Sequence, residues 1–376
     1  MRGPAVRPIA IAAGGTGGHL FPAEALAAEL SARGRRIVLF TDSRSAAFDS
    51  PAFASAERFV LKGEGIAGRN VLRAARGAAM LASGTMTARG LLRRLDAAAL
   101  VGFGGYPAIP PAIAALTLGA RKPALILHEQ NAVLGRANRV LAMRADLLAL
   151  AYAETARVPA GAKAQVLGNP VRPALAALAG MGYPPADGPL RLLVTGGSLG
   201  AHIFADLVPP AISALPEAIR GRLLIAQQCR VEDLERVRAA YSTTGIPVEL
   251  SPFFPDIAGR LAGAHLVIAR AGASTVAEIA CAGRPSLLVP LPSAIDDHQA
   301  ANARALEAAG AALVLPQASM TPARLAALLA EWLGSPERLA EAAQAAASLG
   351  RPQAARVLAN QVLALADQVT SLQETR

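Results

Sequence analysis

His19 stands directly behind the run "GGTGG" (Gly14–Gly18), so an imidazole follows a cluster of the most conformationally permissive residues. Backbone N–H groups at a glycine turn approach an anion closely, and a helix behind the turn adds the positive end of its dipole. A histidine side chain titrates near neutrality and accepts a proton from a hydroxyl at physiological pH. These residue types in this order suit a phosphate held beside a proton acceptor. A tight turn ordered by a structural histidine explains the same letters, and both readings stand here. Two more glycine loops follow apolar runs, at Gly102–Gly105 and Gly196–Gly200.

Other polar residues gather where apolar runs end. "HEQN" (His128–Asn131) closes one such run; Glu129 reads either as a buried acid tied to a neighbouring turn or as a site residue, and Asn131 offers both donor and acceptor to a sugar hydroxyl. "ARAGASTVAEIACAG" (Ala269–Gly283) ends a strand at Arg270, turns on small residues and starts a helix in which Glu278 lies a turn inward. A carboxylate there suits the paired hydroxyls of a ribose; an ordinary solvated helix residue is the alternative. "LPSAIDDHQAANA" (Leu291–Ala303) groups two acids, His298 and Gln299 at a strand end, where open α/β sheets bind ligands. Asp296 or Asp297 also suits the cap of the next helix.

Several chemistries are excluded by what is missing. There is no GxxxxGK[ST] run, and the dinucleotide fingerprint fails because Leu20 occupies its third glycine position. Asp42, just beyond the second apolar run, keeps a ribose-binding dehydrogenase reading open. The only cysteines, Cys229 and Cys281, have neither a CxxC partner nor a histidine cluster, which argues against a disulfide framework or a zinc site. No DxD motif is present, so metal-independent chemistry with no cofactor is expected. The formal charge of +10 favours acidic partners, but aromatics are 4% of the chain and no nucleic-acid motif occurs. Phosphorylated small molecules or an anionic membrane surface are the expected partners.

Positioning such loops requires strands that end in one plane. Short apolar runs at Pro8–Ala13, Arg36–Phe40, Ala97–Val101, Ala124–Leu127 and Asp146–Leu150 alternate with Ala-rich helical stretches, the first helix being expected near Pro22–Arg33. The alternation predicts an α/β doubly wound parallel sheet. Prolines cluster between Gly168 and Leu190, and then "LRLLVTGGSLGAH" repeats the opening pattern of strand, glycine loop, polar residue and helix. The expected organisation is residues 1–168 as one Rossmann-like domain, 169–189 as a linker and 190–352 as a second such domain facing the first across a cleft. An apolar-striped helix over 353–373 is expected to cross back onto the first domain.

As a set, "GGTGGHLFPA", "GFGGYP", "HEQN", "GNPVR", "GGSLGA", "RAGASTVAEI" and "DDHQAANA" resemble the MurG family of N-acetylglucosaminyltransferases, which convert lipid I to lipid II in peptidoglycan synthesis. The likeness runs from about Ile9 to Ala312. It implies a GT-B fold, with the donor UDP-GlcNAc held mainly by the C-terminal half and the lipid I acceptor by the N-terminal half. Carried onto this sequence, Thr16, Gly17 and Gly18 would meet the donor pyrophosphate and sugar, with Asn131 near the sugar. Arg172 and Ser198 would approach the donor, Ser198 at its phosphate. Arg270 would stand with the nucleotide-binding stretch Ala273, Ser274, Thr275, Val276, Ala277 and Glu278, the last on the ribose. Gln299 would read sugar hydroxyls, and backbone groups of Phe254 would read uracil. His19 becomes the candidate general base. Leu199, Ser274 and His298 stand where some members carry Gln, Leu and Gln, which bears on single contacts. Rival readings are another GT-B nucleotide-sugar enzyme, such as a glycolipid synthase or a UDP-GlcNAc epimerase, and a non-catalytic nucleotide-sugar-binding protein.

The family's lipid substrate directs attention to apolar surfaces. Ala97–Ala120 is uncharged over a spanning length, but its central glycines and prolines favour strand, loop and helix over a lipid-exposed span. Arg69, Arg73 and Arg76 beside Leu72, Ala75, Ala79 and Met86 suit a helix lying on the cytoplasmic face of the inner membrane, as a peripheral attachment. A core-packed helix pair is the rival, with Gly77 and Gly84 expected to weaken one continuous helix.

Overall fold

The computed structural model describes residues 7–15, 17–46, 48, 50–61, 71–197 and 200–374, with backbone alone for 71–74 and 374. The chain divides into two compact units, Met1–Pro173 with Gln353–Arg376, and Ala174–Pro352.

The first unit is built on seven parallel strands: β1 (Ile9–Ala12), β2 (Ile37–Thr41), β3 (Glu57–Val60), β4 (Ala99–Gly102), β5 (Ala124–Glu129), β6 (Leu147–Leu150) and β7 (Ala164–Val166). Their order is β3-β2-β1-β4-β5-β6-β7, so the sheet reverses direction of growth between β1 and β4. β1, β2, β4, β5 and β6 are buried along their whole length, as expected of apolar runs covered on both faces. One face carries Leu20, Leu26 and Leu30 of α1 (Gly17–Ala32) together with Leu358, Val362 and Ala366 of the C-terminal helix Ala354–Glu374. The other carries α2 (Val71–Leu95), α3 (Gly105–Leu116) and α4 (Arg136–Leu141).

Two helices differ from the sequence expectation. α1 begins at Gly17, not at Pro22; Pro22 lies inside it, and His19 therefore sits in its first turn. α2 runs unbroken through Gly77 and Gly84, which are buried. Glycine lowers helix propensity by about 1 kcal/mol, and the packing of α2 against α3 outweighs that cost here.

The second unit repeats the plan with six parallel strands: β8 (Leu190–Thr195), β9 (Leu223–Gln228), β10 (Val248–Ser251), β11 (Leu266–Ala269), β12 (Ser286–Leu288) and β13 (Ala312–Val314). Their order is β10-β9-β8-β11-β12-β13, with the reversal between β8 and β11. The short α5 (Pro173–Ala176) leads in, and α6 (His202–Ser213), α7 (Glu217–Arg220) and α8 (Leu234–Tyr241) follow β8 and β9. α9 (Ile257–Gly263), α10 (Ala273–Ala282), α11 (His298–Ala308), α12 (Pro322–Leu333) and α13 (Pro336–Leu349) complete it. Val194, Phe204, Ile225, Ile268, Leu329 and Trp332 belong to its hydrophobic core.

Arg284 is a buried cation in this unit, 1% exposed, and no carboxylate neutralises it among the described residues. Its guanidinium donates to the carbonyls of Leu261, Ala262, Gly182 and Gly283. Three of these close α9 and α10, so the negative ends of two helix dipoles hold the charge.

Candidate active site

At a sheet's reversal point the loops of two adjacent strands diverge to opposite faces and leave a crevice beyond the strand ends. In the first unit Ala12 and Gly102 are paired there, so the loop ahead of α1 and the loop Phe103–Gly105 lie side by side. The His19 ring lies against the second loop. A Cβ at Gly105 would sit 3.2 Å from His19 Cδ2, and one at Gly104 would sit 3.5 Å from Cε1. Both glycines have φ in the left-handed region, +80° and +67°, so neither position suits a side chain.

Behind His19 runs a chain of polar groups. His19 Nδ1 is 3.2 Å from Gln130 Oε1, Gln130 Nε2 is 3.1 Å from His128 Nδ1, and His128 Nε2 is 3.0 Å from the Gly168 carbonyl oxygen. His128 is fully buried, and burial pushes its pKa down to about 4, so the ring is neutral.

Asp42 does not serve the role a dehydrogenase would give it. It accepts from Arg44 and from the Ser45 backbone N–H, and Ser45 Oγ in turn accepts from Gly15 N at 2.8 Å. Burial opposes its charge, but the bonds from Ser45 and Arg44 prevail and hold its pKa below the ordinary value. Asp42 thus braces the first glycine loop, and the NAD reading is set aside.

Glu129 is likewise structural. It accepts from Asn131 N, Asn131 Nδ2, Gly135 N and Asn138 Nδ2, stitching the loop that follows β5. Asn131 is oriented by that carboxylate. The Arg172 guanidinium lies 4.3 Å over the Phe21 ring, which fixes it beside α1, two residues from His19. Gly17 and Gly18 open α1.

The second unit brings the corresponding loops together at its own reversal, where Thr195 pairs with Ala269. A Cβ at Gly196 would fall 2.2 Å from Ala201 N, so only glycine fits. The Gln228 amide at the end of β9 clasps this loop. Its Oε1 accepts from Thr195 Oγ1 and Gly196 N, and its Nε2 donates to the carbonyls of Gly197 and Pro252. The Pro252 bond ties in the segment carrying Phe254, whose buried ring lies 4.2 Å under the Arg260 guanidinium.

α10 starts beside that loop. A Cβ on Gly197 and one on Gly272 would each lie 3.9 Å from Thr275 Oγ1. Ala273, Ser274, Val276 and Glu278 are buried, while Thr275 and Ala277 are partly exposed. Arg270 reaches the carbonyls of Val289 and Pro290 and Gln317 Oε1, so its guanidinium pins the strand ends in place. Gln299 Oε1 accepts from Leu291 N. Asp297 occupies the N-cap position of α11 without a side-chain cap bond, and it and Asp296 both adopt left-handed backbone, φ +54° and +55°. Such strain in non-glycine residues collects at functional sites.

Thr16 and Ser198 lie outside the described residues. Sequence reading passed over Gln130, Gln228 and Ser45. The signal available for the two glutamines was a polar residue closing a fully apolar strand, in "ALILHEQ" and "LLIAQQ".

Two doubly wound parallel sheets, each with a glycine loop at its reversal point, are the architecture of the GT-B fold class. Residues 9–149 match the glycosyltransferase family 28 N-terminal domain and residues 191–358 the family 28 C-terminal domain. The chain is 57% identical over 363 residues to the UDP-N-acetylglucosamine–N-acetylmuramyl-(pentapeptide) pyrophosphoryl-undecaprenol N-acetylglucosamine transferase of Granulibacter bethesdensis, covering 96% of this chain and 94% of that protein. It is 54% identical to the protein of the same name from Acidiphilium cryptum, covering 98% and 100%. A crystal structure of Acinetobacter baumannii MurG superposes with a TM-score of 0.76 at 31% identity, over 95% of this chain and 99% of that one. A putative UDP-N-acetylglucosamine 2-epimerase from Listeria monocytogenes, 15% identical with a TM-score of 0.65 over 94% of each chain, shares the fold alone. The chain belongs to glycosyltransferase family 28 and, within it, to the MurG family of N-acetylglucosamine transferases.

Proposed function

We infer that this protein transfers GlcNAc from UDP-GlcNAc to the muramoyl C4 hydroxyl of undecaprenyl-pyrophosphoryl-MurNAc-pentapeptide, giving lipid II. The observation that carries the reading is kinship over nearly the full chain with transferases of that name. In the reaction the acceptor oxygen bonds to the anomeric carbon as the bond from that carbon to the UDP oxygen breaks, inverting the centre. The hydroxyl proton goes to His19, and UDP leaves with the electron pair.

The second unit takes the donor. Glu278 accepts from the ribose hydroxyls, Phe254 backbone groups read the uracil, and Ser198 with the α10 start meets the phosphates. Arg270 holds the strand ends around them. Gln299 reads sugar hydroxyls, as does Asn131 of the first unit. Thr16, Gly17, Gly18 and Arg172 face the pyrophosphate and sugar. Backbone N–H groups and helix N-termini stabilise the charge developing on UDP, so turnover is expected to persist in EDTA.

Attachment to the membrane is peripheral, on its cytoplasmic face. Among the described residues no helix is long and apolar enough to cross a membrane. On α2, Ala75, Ala79, Ala82 and Met86 form an exposed stripe that continues into Arg89 and Arg93, with Arg76 beside it. An apolar stripe ending in arginines suits the headgroup layer of anionic lipid. Arg69 lies outside the described residues, as do the side chains of Leu72 and Arg73. Transfer of labelled GlcNAc from UDP-GlcNAc to a lipid I analogue tests the reaction; UDP binding without transfer would leave a nucleotide-sugar-binding protein in its place.

A further inference from the structure

The polar chain behind His19 fixes more than its position. His128 Nε2 faces the Gly168 carbonyl oxygen, which only accepts, so that nitrogen carries hydrogen. A neutral ring then has its lone pair on Nδ1. Gln130 Nε2 stands 3.1 Å from that lone pair and 3.1 Å from the His128 carbonyl oxygen. Turned over, the amide would aim its own oxygen at two acceptors. The amide oxygen therefore faces His19, and an amide oxygen accepts and never donates. His19 Nδ1, 3.2 Å away, has to supply the hydrogen.

We propose that the Gly168 carbonyl, His128 and Gln130 act as a tautomer-setting relay that holds neutral His19 as Nδ1–H, leaving the lone pair on Nε2. Among the described residues Nε2 has no hydrogen-bond partner, and it lies along Gly105, where a Cβ would come within 3.4 Å of it. Gln130 and His128 are positioning residues: they are 1% and 0% exposed and act through His19. When Nε2 takes the acceptor's proton, Nδ1–H keeps the same acceptor, so nothing behind the ring has to rearrange. The opposite tautomer would set the Nδ1 lone pair against the Gln130 oxygen. That Nε2 takes the proton rests on the base reading above; the tautomer itself does not.

Nitrogen-15 NMR of histidine-labelled full-length protein separates the two statements, with His19 assigned by the signals lost in His19→Asn. The expected spectrum shows His19 protonated at Nδ1, and Gln130→Leu shifts it toward Nε2–H. Gln130→Leu is also expected to lower kcat by about 10- to 100-fold with KM for both substrates little changed, the loss of one hydrogen bond to a developing charge. Wild-type His19 found as Nε2–H overturns the relay, whatever Gln130→Leu does to folding. A tautomer that swaps in Gln130→Leu with kcat unchanged supports the relay and overturns the base reading instead.

Discussion

The two reversal points are topologically equivalent and chemically unlike. In the first unit the glycine loop is braced by ionisable groups, Asp42 and Arg44 through Ser45, and an imidazole stands in the crevice with a second imidazole behind it. In the second unit the loop is clasped by one neutral amide, Gln228, and the adjoining helix start offers small residues and a single buried carboxylate. On the function proposed above, one site is built around a group that takes a proton and the other around groups that hold the donor still. The same sheet topology thus supplies a place, and the side chains behind each loop decide its task.

The largest test of that division is His19→Ala. General-base assistance is worth about 10²–10⁴ in rate, so kcat should fall by that order while UDP affinity, assigned to the other unit, stays near wild type. A loss of UDP binding comparable to the loss of turnover would erase the division.

Acid should strain both units through one shared device. His128 donates from Nε2 to the Gly168 carbonyl and accepts at Nδ1; His265 donates to the Pro185 carbonyl and accepts from Arg191 N. Burial lowers both pKa values, His128 to about 4. Unfolded histidine titrates near 6.5, so below that pH the unfolded chain binds protons that the folded chain refuses. The stabilisation from a neutral folded ring is complete above 6.5 and is lost as pH falls below it, for His128 down to about 4, by at most about 1.4 kcal/mol per pH unit. Urea midpoints measured from pH 7 to 4 should decline, and an NMR titration should find one imidazole neutral down to about pH 4. An imidazole set titrating wholly above pH 6 would contradict the buried relay. Asp42 and Asp233, held low, act in a separate window below the ordinary carboxylate pKa.

The frame of this comparison was legible in the sequence because it rests on local chemistry. Strand, glycine loop and helix recur at Gly14 and Gly196, and both repeats lie where a sheet reverses. What escaped depends on distant pairing. Asp42 left a ribose-ligand reading open because its place after β2 fits that motif, and only the folded contact with Ser45 and Gly15 reveals the brace. The sequence places the first helix near Pro22–Arg33, whereas α1 begins at Gly17. Gln130 and Gln228 carry no motif; each matters through where its amide points. β3 and β7, short edge strands with partly or fully exposed residues, lack the apolar run that marked the others.

Glu278→Gln probes the holding site. A carboxylate accepts from two vicinal ribose hydroxyls, whereas an amide turns an NH₂ toward one of them. Hydrogen bonds to a charged group are worth about 1.5–3 kcal/mol, so UDP affinity should fall by about 10- to 100-fold, with acceptor affinity kept. A deoxyribose donor supplies the control, since wild type should lose affinity for it and the variant little more. Equal losses for donor and acceptor would remove Glu278 from the ribose.

The smallest expected effect asks whether the units also differ toward the membrane. Arg89 ends the exposed stripe of α2 in the first unit, while Arg238 on α8 of the second is an exposed arginine paired with Glu235. A basic residue near an anionic bilayer contributes about 1 kcal/mol, so Arg89→Gln should weaken binding to vesicles containing phosphatidylglycerol by about five-fold. Arg238→Gln should leave it unchanged, because α8 presents no apolar stripe to lipid. High salt should narrow the gap, as screening shortens the reach of each charge. Met86→Glu, on a residue 76% exposed, adds a test of the apolar part without touching the fold. Equal weakening by both arginine variants would mean that the whole basic surface, and not α2, meets the membrane, and unchanged binding in all three variants would return α2 to a plain packing helix.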